Sequence, residues 1–154
     1  MTARGLDATD EDRAAAARAI LDDGRYMTLA TADADGRPWA TPVWYAPDGY
    51  SQLYWVSSPD ARHSRNIAAR PEVGIVVFDS GVTPNQGQAV YMTATAGEAG
   101  DAIEAFARRS AAQGLPPWTA DDVLPPARLR LYKATVTEHF VLGHRDERVP
   151  VSLT

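Results

Sequence analysis

The chain has 154 residues, 45% of them hydrophobic and 23% charged, with a formal net charge of −5. That is the size and balance of one ordinary folded unit able to bury a core, not of a disordered chain. The acid excess speaks against general nucleic-acid binding, which draws on Lys and Arg to displace counterions. The absence of cysteine excludes disulfides, thiolate metal sites and a cysteine nucleophile.

The opening stretch MTARGLDATDEDR is acidic and carries no apolar run of the kind a secretory leader needs. The longest purely aliphatic and aromatic run, Ile75 to Phe78, is too short to span a bilayer. A soluble, cytoplasmic protein is the expectation. Thr9 ahead of Asp10, Glu11 and Asp12 sets a capping hydroxyl and acidic residues at a helix start. Ala14 to Leu21 continue with strong helix formers, and Gly24 is a stop. This predicts a surface helix over about 9–23 that packs Ile20 and Leu21 on the body.

From Tyr26 the pattern turns to strands. Tyr26 to Ala32, Trp39 to Ala46 and Gln52 to Ser57 are β-prone. Ala34-Asp35-Gly36 and Pro47-Asp48-Gly49 are the turns between them. Three strands joined by tight turns make an antiparallel meander, which favours a sheet or barrel over a doubly wound fold. Pro42 lies inside the second strand, where the missing N–H calls for either a bulge or an edge position. Ser58-Pro59 reads as N-cap and first position of a short helix, ended by Arg70-Pro71. On that helix Arg62, His63, Asn66 and Arg70 share one face, with Ala61, Ser64 and Ala68 opposite. Glu72 to Asp79 is a buried strand, Ser80 to Gly87 a polar loop, and Gln88 to Ala96 a long alternating strand. Asp101 to Gln113 reads as an amphipathic helix ended by Gly114. Trp118 to Pro126 reads as an irregular lid or subunit contact. Arg128 to Thr137 alternates cleanly and closes the sheet, Glu138 to Leu142 continues past a bulge, and Val149 to Leu153 forms a short edge strand. No repeat or linker divides the chain, so one domain over 1–154 is expected.

The sequence holds no G-x-G-x-x-G, no P-loop and no G-x-S-x-G elbow. His139 and His144 lack zinc-ligand spacing, no metal is expected, and no catalytic acid or base is signalled. The positive signal is SSPDARHSRN, residues 57–66. A helix N-terminus offers unpaired N–H donors and a positive dipole end. Ser57 and Ser58 add hydroxyls, Arg62 a bidentate guanidinium and His63 a further donor, with Asn66 one turn on. Such residues hold an anion in one reading and are merely solvated in the other.

Strand, turn, strand, then S-x-x-x-x-R-[KH]-x-x-N and a buried strand after R-P resemble the pyridoxamine 5′-phosphate oxidase-like flavoproteins, from about Tyr26 to Ala99, with a weaker echo over Arg128 to Leu142. The resemblance implies a mainly β (α+β) fold: an FMN-binding split β-barrel over about 25–153 with a few peripheral helices. It implies FMN phosphate at Arg62, His63 and Asn66, with Ser57 and Ser58 near the ribityl chain and phosphate. The flavin ring would lie along the backbone of Thr41, Pro42, Val43 and Trp44. It also implies a homodimer with the flavin between subunits, Trp118 or Tyr91 reaching the partner's cofactor. His63 stands where the family usually has lysine. The tail VLGHRDERVPVSLT lacks the family oxidase's tryptophan and R-x-H pair, so vitamin B6 oxidation is not expected. The leading expectation is an FMN-dependent oxidoreductase acting on a small molecule. Alternatives are an F420-dependent reductase, drawing on Arg37, Arg65 and Arg70, and a flavin or haem carrier with His139 or His144 as axial ligand.

Overall fold

The structure, a computed structural model, describes residues 7–84 and 88–153. The stretch ahead of Asp7, read above as free of a leader, and the end of the expected 80–87 loop lie outside the described residues.

Helix α1 (Asp10–Asp23) opens as its sequence requires. The Asp12 N–H donates to Thr9 Oγ1 at 3.1 Å, and the Thr9 N–H returns to Asp12 Oδ2 at 3.0 Å. Its buried positions are Ala14, Ala17 and Leu21, with Ile20 partly buried beside them, and the helix lies against β5 (Glu72–Phe78) and β6 (Ala89–Glu98). The small alanines allow that close approach. The helix does stop at Gly24, but for another reason than a left-handed cap: this glycine is extended, at φ −69° and ψ 150°. A Cβ there would lie 2.5 Å from the Tyr45 hydroxyl and 2.9 Å from Val77 Cγ1. The Tyr45 O–H donates to the Leu21 carbonyl at 2.6 Å, supplying a partner to a C-terminal helix carbonyl inside the core.

Strands β1 (Tyr26–Ala32) and β2 (Pro38–Trp44) pair antiparallel in even register, Thr28 opposite Pro42. The turn between them is held by Asp33, whose Oδ1 accepts from the Asp35 and Arg37 N–H groups at 2.9 Å each, while Gly36 takes φ 86°. No register shift occurs at Pro42. Of the two readings of that proline, the edge strand holds and the bulge does not, because β2 is the outermost strand of the sheet, beside β1 alone, and needs no donor there.

Beyond Tyr45 the expected turn at Pro47-Asp48 is itself a short strand, β3 (Ala46–Asp48), which pairs with β4 (Gln52–Ser57). The rest of the sheet is antiparallel β5, β6 and the thirteen-residue β7 (Arg130–Leu142), to which β8 (Arg148–Pro150) adds. Thr93 faces Glu138 and Ala94 faces Val136, so Thr137 is the extra residue of a bulge in β7. The bulge forms where the alternation breaks in the sequence. The curled sheet is a split half-barrel, mainly β with three helices. Met27, Leu29, Leu53, Trp55, Val90 and Leu131 are fully buried, and Trp55 stacks on Tyr132 with centroids 5.7 Å apart.

Helix α3 (Glu104–Ala112) begins three residues later than the sequence pattern predicts and ends at Gly114, φ 69°. Ile103 and Phe106 carry it onto a second apolar cluster with Ala46, Tyr54, Val123 and Leu131. The segment expected to be irregular contains a 3-10 turn, Ala120–Val123, steadied by the Thr119 N–H donating to Asp122 Oδ2 at 2.8 Å. No helix among the described residues is long and apolar enough to cross a membrane.

The Gly24 contact is directly testable. Gly24→Ala is expected to destabilise the protein by about 1–3 kcal/mol in a urea titration through overpacking against Tyr45. In a Tyr45→Phe background the same substitution is expected to cost less, because the clashing oxygen is gone.

Candidate functional site

The site begins where β4 ends. Ser57 is buried at 9% exposure, and the chain then turns instead of entering the helix at once. Ser58 Oγ accepts from the Asp60 N–H at 3.1 Å. The Ser58 carbonyl accepts from the Ala61 N–H at 3.1 Å and from Ser64 Oγ at 2.7 Å. A serine hydroxyl that bonds two residues ahead makes a turn in place of a cap. Helix α2 therefore runs Arg62–Ala69, with Ala61 as N-cap and no capping side chain, one turn later than Ser58-Pro59 suggested. Its first N–H groups have no intrahelical acceptor and no capping side-chain bond among the described residues, which is the electrostatic setting that favours an anion.

The four residues expected on one face of α2 divide. Arg62 is exposed, its guanidinium 4.3 Å above the Trp39 ring of β2. His63 is half-buried, its Nε2 sharing a 2.8 Å hydrogen bond with Ser57 Oγ, and burial lowers its pKa so that the imidazole is neutral at pH 7. Asn66 is turned inward at 5% exposure, Nδ2 donating to buried Thr31 Oγ1 at 3.0 Å. Arg70 reaches the Ala34 carbonyl at 3.0 Å in the β1–β2 turn. Of the residues expected on the opposite face, Ser64 is buried with Ile67, while Ala68 is exposed. Asn66 and Ser64 thus hold the helix to the sheet, and Arg62 and His63 remain at its start.

A cleft of about 660 Å³ opens beside this helix start. Pro42, Val43, Trp44, Ser57 and His63 are among the residues that line it. Thr41, Ser58, Arg62 and Asn66 stand outside the lining. The lining also includes Phe106 and Ser110 of α3 and the segment Leu115 to Trp118, of which the sequence reading had singled out Trp118 alone, as a residue reaching a partner's cofactor. Trp44 and Phe106 meet edge to face at 4.9 Å, and Phe106 and Trp118 at 5.3 Å. The Trp44 indole N–H donates to Gln113 Oε1 at 2.9 Å, which fixes the ring. Arg109 anchors α3 by donating to the carbonyls of Asp22 at 2.7 Å and Gly24 at 2.9 Å. Phe106 was legible only as a core residue of an amphipathic helix. Trp118 was read as part of a lid or subunit contact reaching a partner's cofactor, and its contact with Phe106 was not foreseen.

A family model described as pyridoxamine 5′-phosphate oxidase matches residues 14–138. The chain belongs to the pyridoxamine 5′-phosphate oxidase-like family. No curated protein sequence matches it. Among solved structures it is similar to HutZ, the haem storage protein from Vibrio cholerae, with 19% identity and a TM-score of 0.62 over 78% of this chain and 87% of that one. A haem-binding protein from Mycobacterium smegmatis aligns at 21% identity and a TM-score of 0.68, covering 96% of this chain but 60% of its own. An F420 reductase aligns at 23% identity and a TM-score of 0.60, covering 80% of this chain and 94% of its own. At such identities the likeness to these structures establishes the split-barrel fold of this family member. The family assignment spans both β2 and α2, the elements on which the cleft rests.

The imidazoles of this family member give its stability a pH dependence with a definite sign. Burial lowers the pKa of His63, and also of His139, whose Nε2 meets the Tyr50 carbonyl at 2.7 Å. The unfolded chain then takes up protons at a higher pH than the folded one. Stability is complete above the ordinary histidine pKa of about 6.5 and falls as pH drops through it toward the lowered folded values. A lower urea midpoint is expected at about pH 5.5 than at about pH 7.5. The His63→Gln, His139→Gln double variant is expected to show a smaller difference.

Proposed function

We propose that this protein is an FMN-dependent oxidoreductase, working as a homodimer on a small molecule other than vitamin B6. The observation that carries this reading is the uncapped start of α2 beside the Ser57–His63 pair, opening onto a cleft bordered by the edge strand β2. The residues present fit a flavin phosphate: the first-turn N–H groups and the Arg62 guanidinium supply positive potential, and Ser58 and His63 supply neutral donors. Ser57 holds the imidazole in place. Thr41, Pro42, Val43 and Trp44 lie on an outermost strand, whose outward N–H and C=O groups have no neighbouring strand among the described residues and can meet a heterocycle's edge. Asn66 acts at one remove, holding α2 against β1 through Thr31. When bound, FMN supplies hydride transfer, and the protein contributes orientation and exclusion of water. A second copy is supported by exposed Tyr26 and Phe78, 61% and 53% accessible.

Haem and F420, which neighbouring structures bear in their names, find less support in the residues. His139 is tied to the Tyr50 carbonyl, and Arg70, one of three arginines available to an acidic F420 tail, is tied to Ala34.

Protein reconstituted with FMN and desalted is expected to keep its flavin absorbance; protein that emerges colourless overturns the proposal. Arg62→Ala is expected to weaken FMN binding roughly tenfold or more, as lost charge-assisted bonds do. His63→Lys is expected to tighten it at about pH 7.5, where the native imidazole is uncharged.

A further inference from the structure

The cleft has two chemically different halves, and only one is accounted for by a flavin. The half beside α2 carries the hydrogen-bonded pair Ser57 and His63. The half built on α3 is formed by Trp44, Phe106, Trp118, Leu115, Pro116 and Pro117. We infer that this second half is the substrate site, and that it selects an uncharged, flat aromatic compound and rejects anionic ones. The inference rests on the proposed flavin function for its redox meaning, though not for the binding itself.

The first argument is charge. Among the described residues no Lys or Arg lines the cleft, and the one formally charged lining residue is Asp122. The guanidiniums near this wall bond elsewhere, Arg109 to the carbonyls of Asp22 and Gly24, Arg25 to Gln113 and Arg130 to the carbonyls of Ala127 and Leu129, while Arg62 stands outside the lining at the α2 start. An anion entering this wall would lose its hydration, meet a carboxylate and find no cation, which is costly in a desolvated place. His63 brings no charge at pH 7, because burial lowers its pKa.

The second argument is shape and rigidity. Three aromatic rings in successive edge-to-face contact present flat apolar surface. They are fixed before any ligand arrives. Gln113 holds the Trp44 indole, and Asp122 Oδ2 accepts from Thr119 N–H at 2.8 Å and Thr119 Oγ1 at 3.2 Å beside Trp118. Pro116 and Pro117 stiffen the rim. A preformed apolar wall with few polar groups binds a rigid ring at small ordering cost.

The third is an unpaired polar group. Ser110 is fully buried, lines the cleft, and its hydroxyl has no hydrogen-bond partner among the described residues. A buried hydroxyl left unpaired costs free energy. One polar atom on an otherwise apolar ligand would satisfy it and set the ligand's orientation.

The test is calorimetric titration with two probes that share one ring system, 1-naphthol and 1-naphthyl phosphate, on FMN-reconstituted protein and on the same protein without FMN in saturating inorganic phosphate, which occupies the α2 start in place of the flavin phosphate. Naphthol is expected to bind roughly tenfold or more tightly than the phosphate. Trp118→Ala is expected to weaken naphthol binding, and Leu115→Arg, at an exposed rim position, to narrow the gap by favouring the phosphate. Equal affinity for the two probes overturns the inference, as does a naphthol affinity indifferent to both substitutions. Flavin retention is read by absorbance on the same samples. Flavin kept with no preference between probes sinks this inference alone. Flavin lost with the preference intact sinks the oxidoreductase reading and leaves the aromatic site standing. Displacement of naphthol by FMN assigns the wall to the flavin ring and also overturns the inference.

Discussion

Strand β7 serves two partners on one side and a third on the other, and the site exists because it can. Arg130 to Thr135 pair with β4, Phe140 to Leu142 pair with β8, and β6 runs along both stretches. A straight strand could not satisfy all three in a sheet that must also curl around a core. The extra residue, Thr137, relieves the conflict, and its hydroxyl donates to the Thr93 carbonyl at 3.0 Å across the bulge. Bulges of this kind bend a strand and increase its local twist. With β7 bent, β4 comes round until its last residue, Ser57, faces the same cleft as Pro42, Val43 and Trp44 of β2. Those strands lie near opposite ends of the path β2-β1-β5-β6-β7-β4-β3. The cleft is the place where the curl has not closed.

The short helix α2 sits at that opening, and its placement follows from competition for the same atoms. Ser58 could cap a helix or close a turn, and its hydroxyl does the second. The helix start then falls on Ala61, which has nothing to cap with. A helix that begins without a cap is a local loss, of order 1 kcal/mol where a serine cap is replaced by alanine. Four anchors offset it: Ser64 on the Ser58 carbonyl, Asn66 on Thr31, Ile67 in the core, and Arg70 on the Ala34 carbonyl. The positive end is thereby kept open toward the cleft while the body of the helix is secured. Unsatisfied donors held in place by well-packed neighbours are a common signature of binding sites.

Local chemistry was readable in the sequence wherever neighbours in the chain decide it. The Thr9–Asp12 cap, the Asp33–Gly36 turn, the strands from Tyr26 to Ala96 and the break in alternation near Thr137 all follow from residues within a few positions of one another. The readings that moved were those decided at a distance. Pro42 lies on an edge because of the whole strand order, which no local pattern contains. Asn66 points inward because Thr31, thirty-five positions away, offers a buried oxygen. Phe106 and Trp118 become cleft walls only because Arg109 fastens α3 across the molecule to the end of α1. Of the site residues taken from the sequence, Pro42 to Trp44, Ser57 and His63 share the cleft. The α3 residues that share it were legible only as one face of an amphipathic helix, with no motif to mark them as a site.

Polarity across the cleft runs one way, and this bears on His63. The groups that favour an anion are the α2 start and Arg62, whereas near Phe106 and Trp118 the one charged lining group among the described residues is the carboxylate of Asp122. A ligand charged at one end and flat and apolar toward the other would have its orientation set by this gradient alone. A lysine in place of His63 would extend the positive region into the cleft and flatten the gradient. A neutral imidazole, held by Ser57 at 2.8 Å and kept uncharged by burial, confines the positive charge to the rim. Exchanging a permanent cation for a buried histidine weakens the grip on a phosphate but sharpens the distinction between the two ends. On the proposed reading, that distinction separates the place of the cofactor's charge from the place of an uncharged ring.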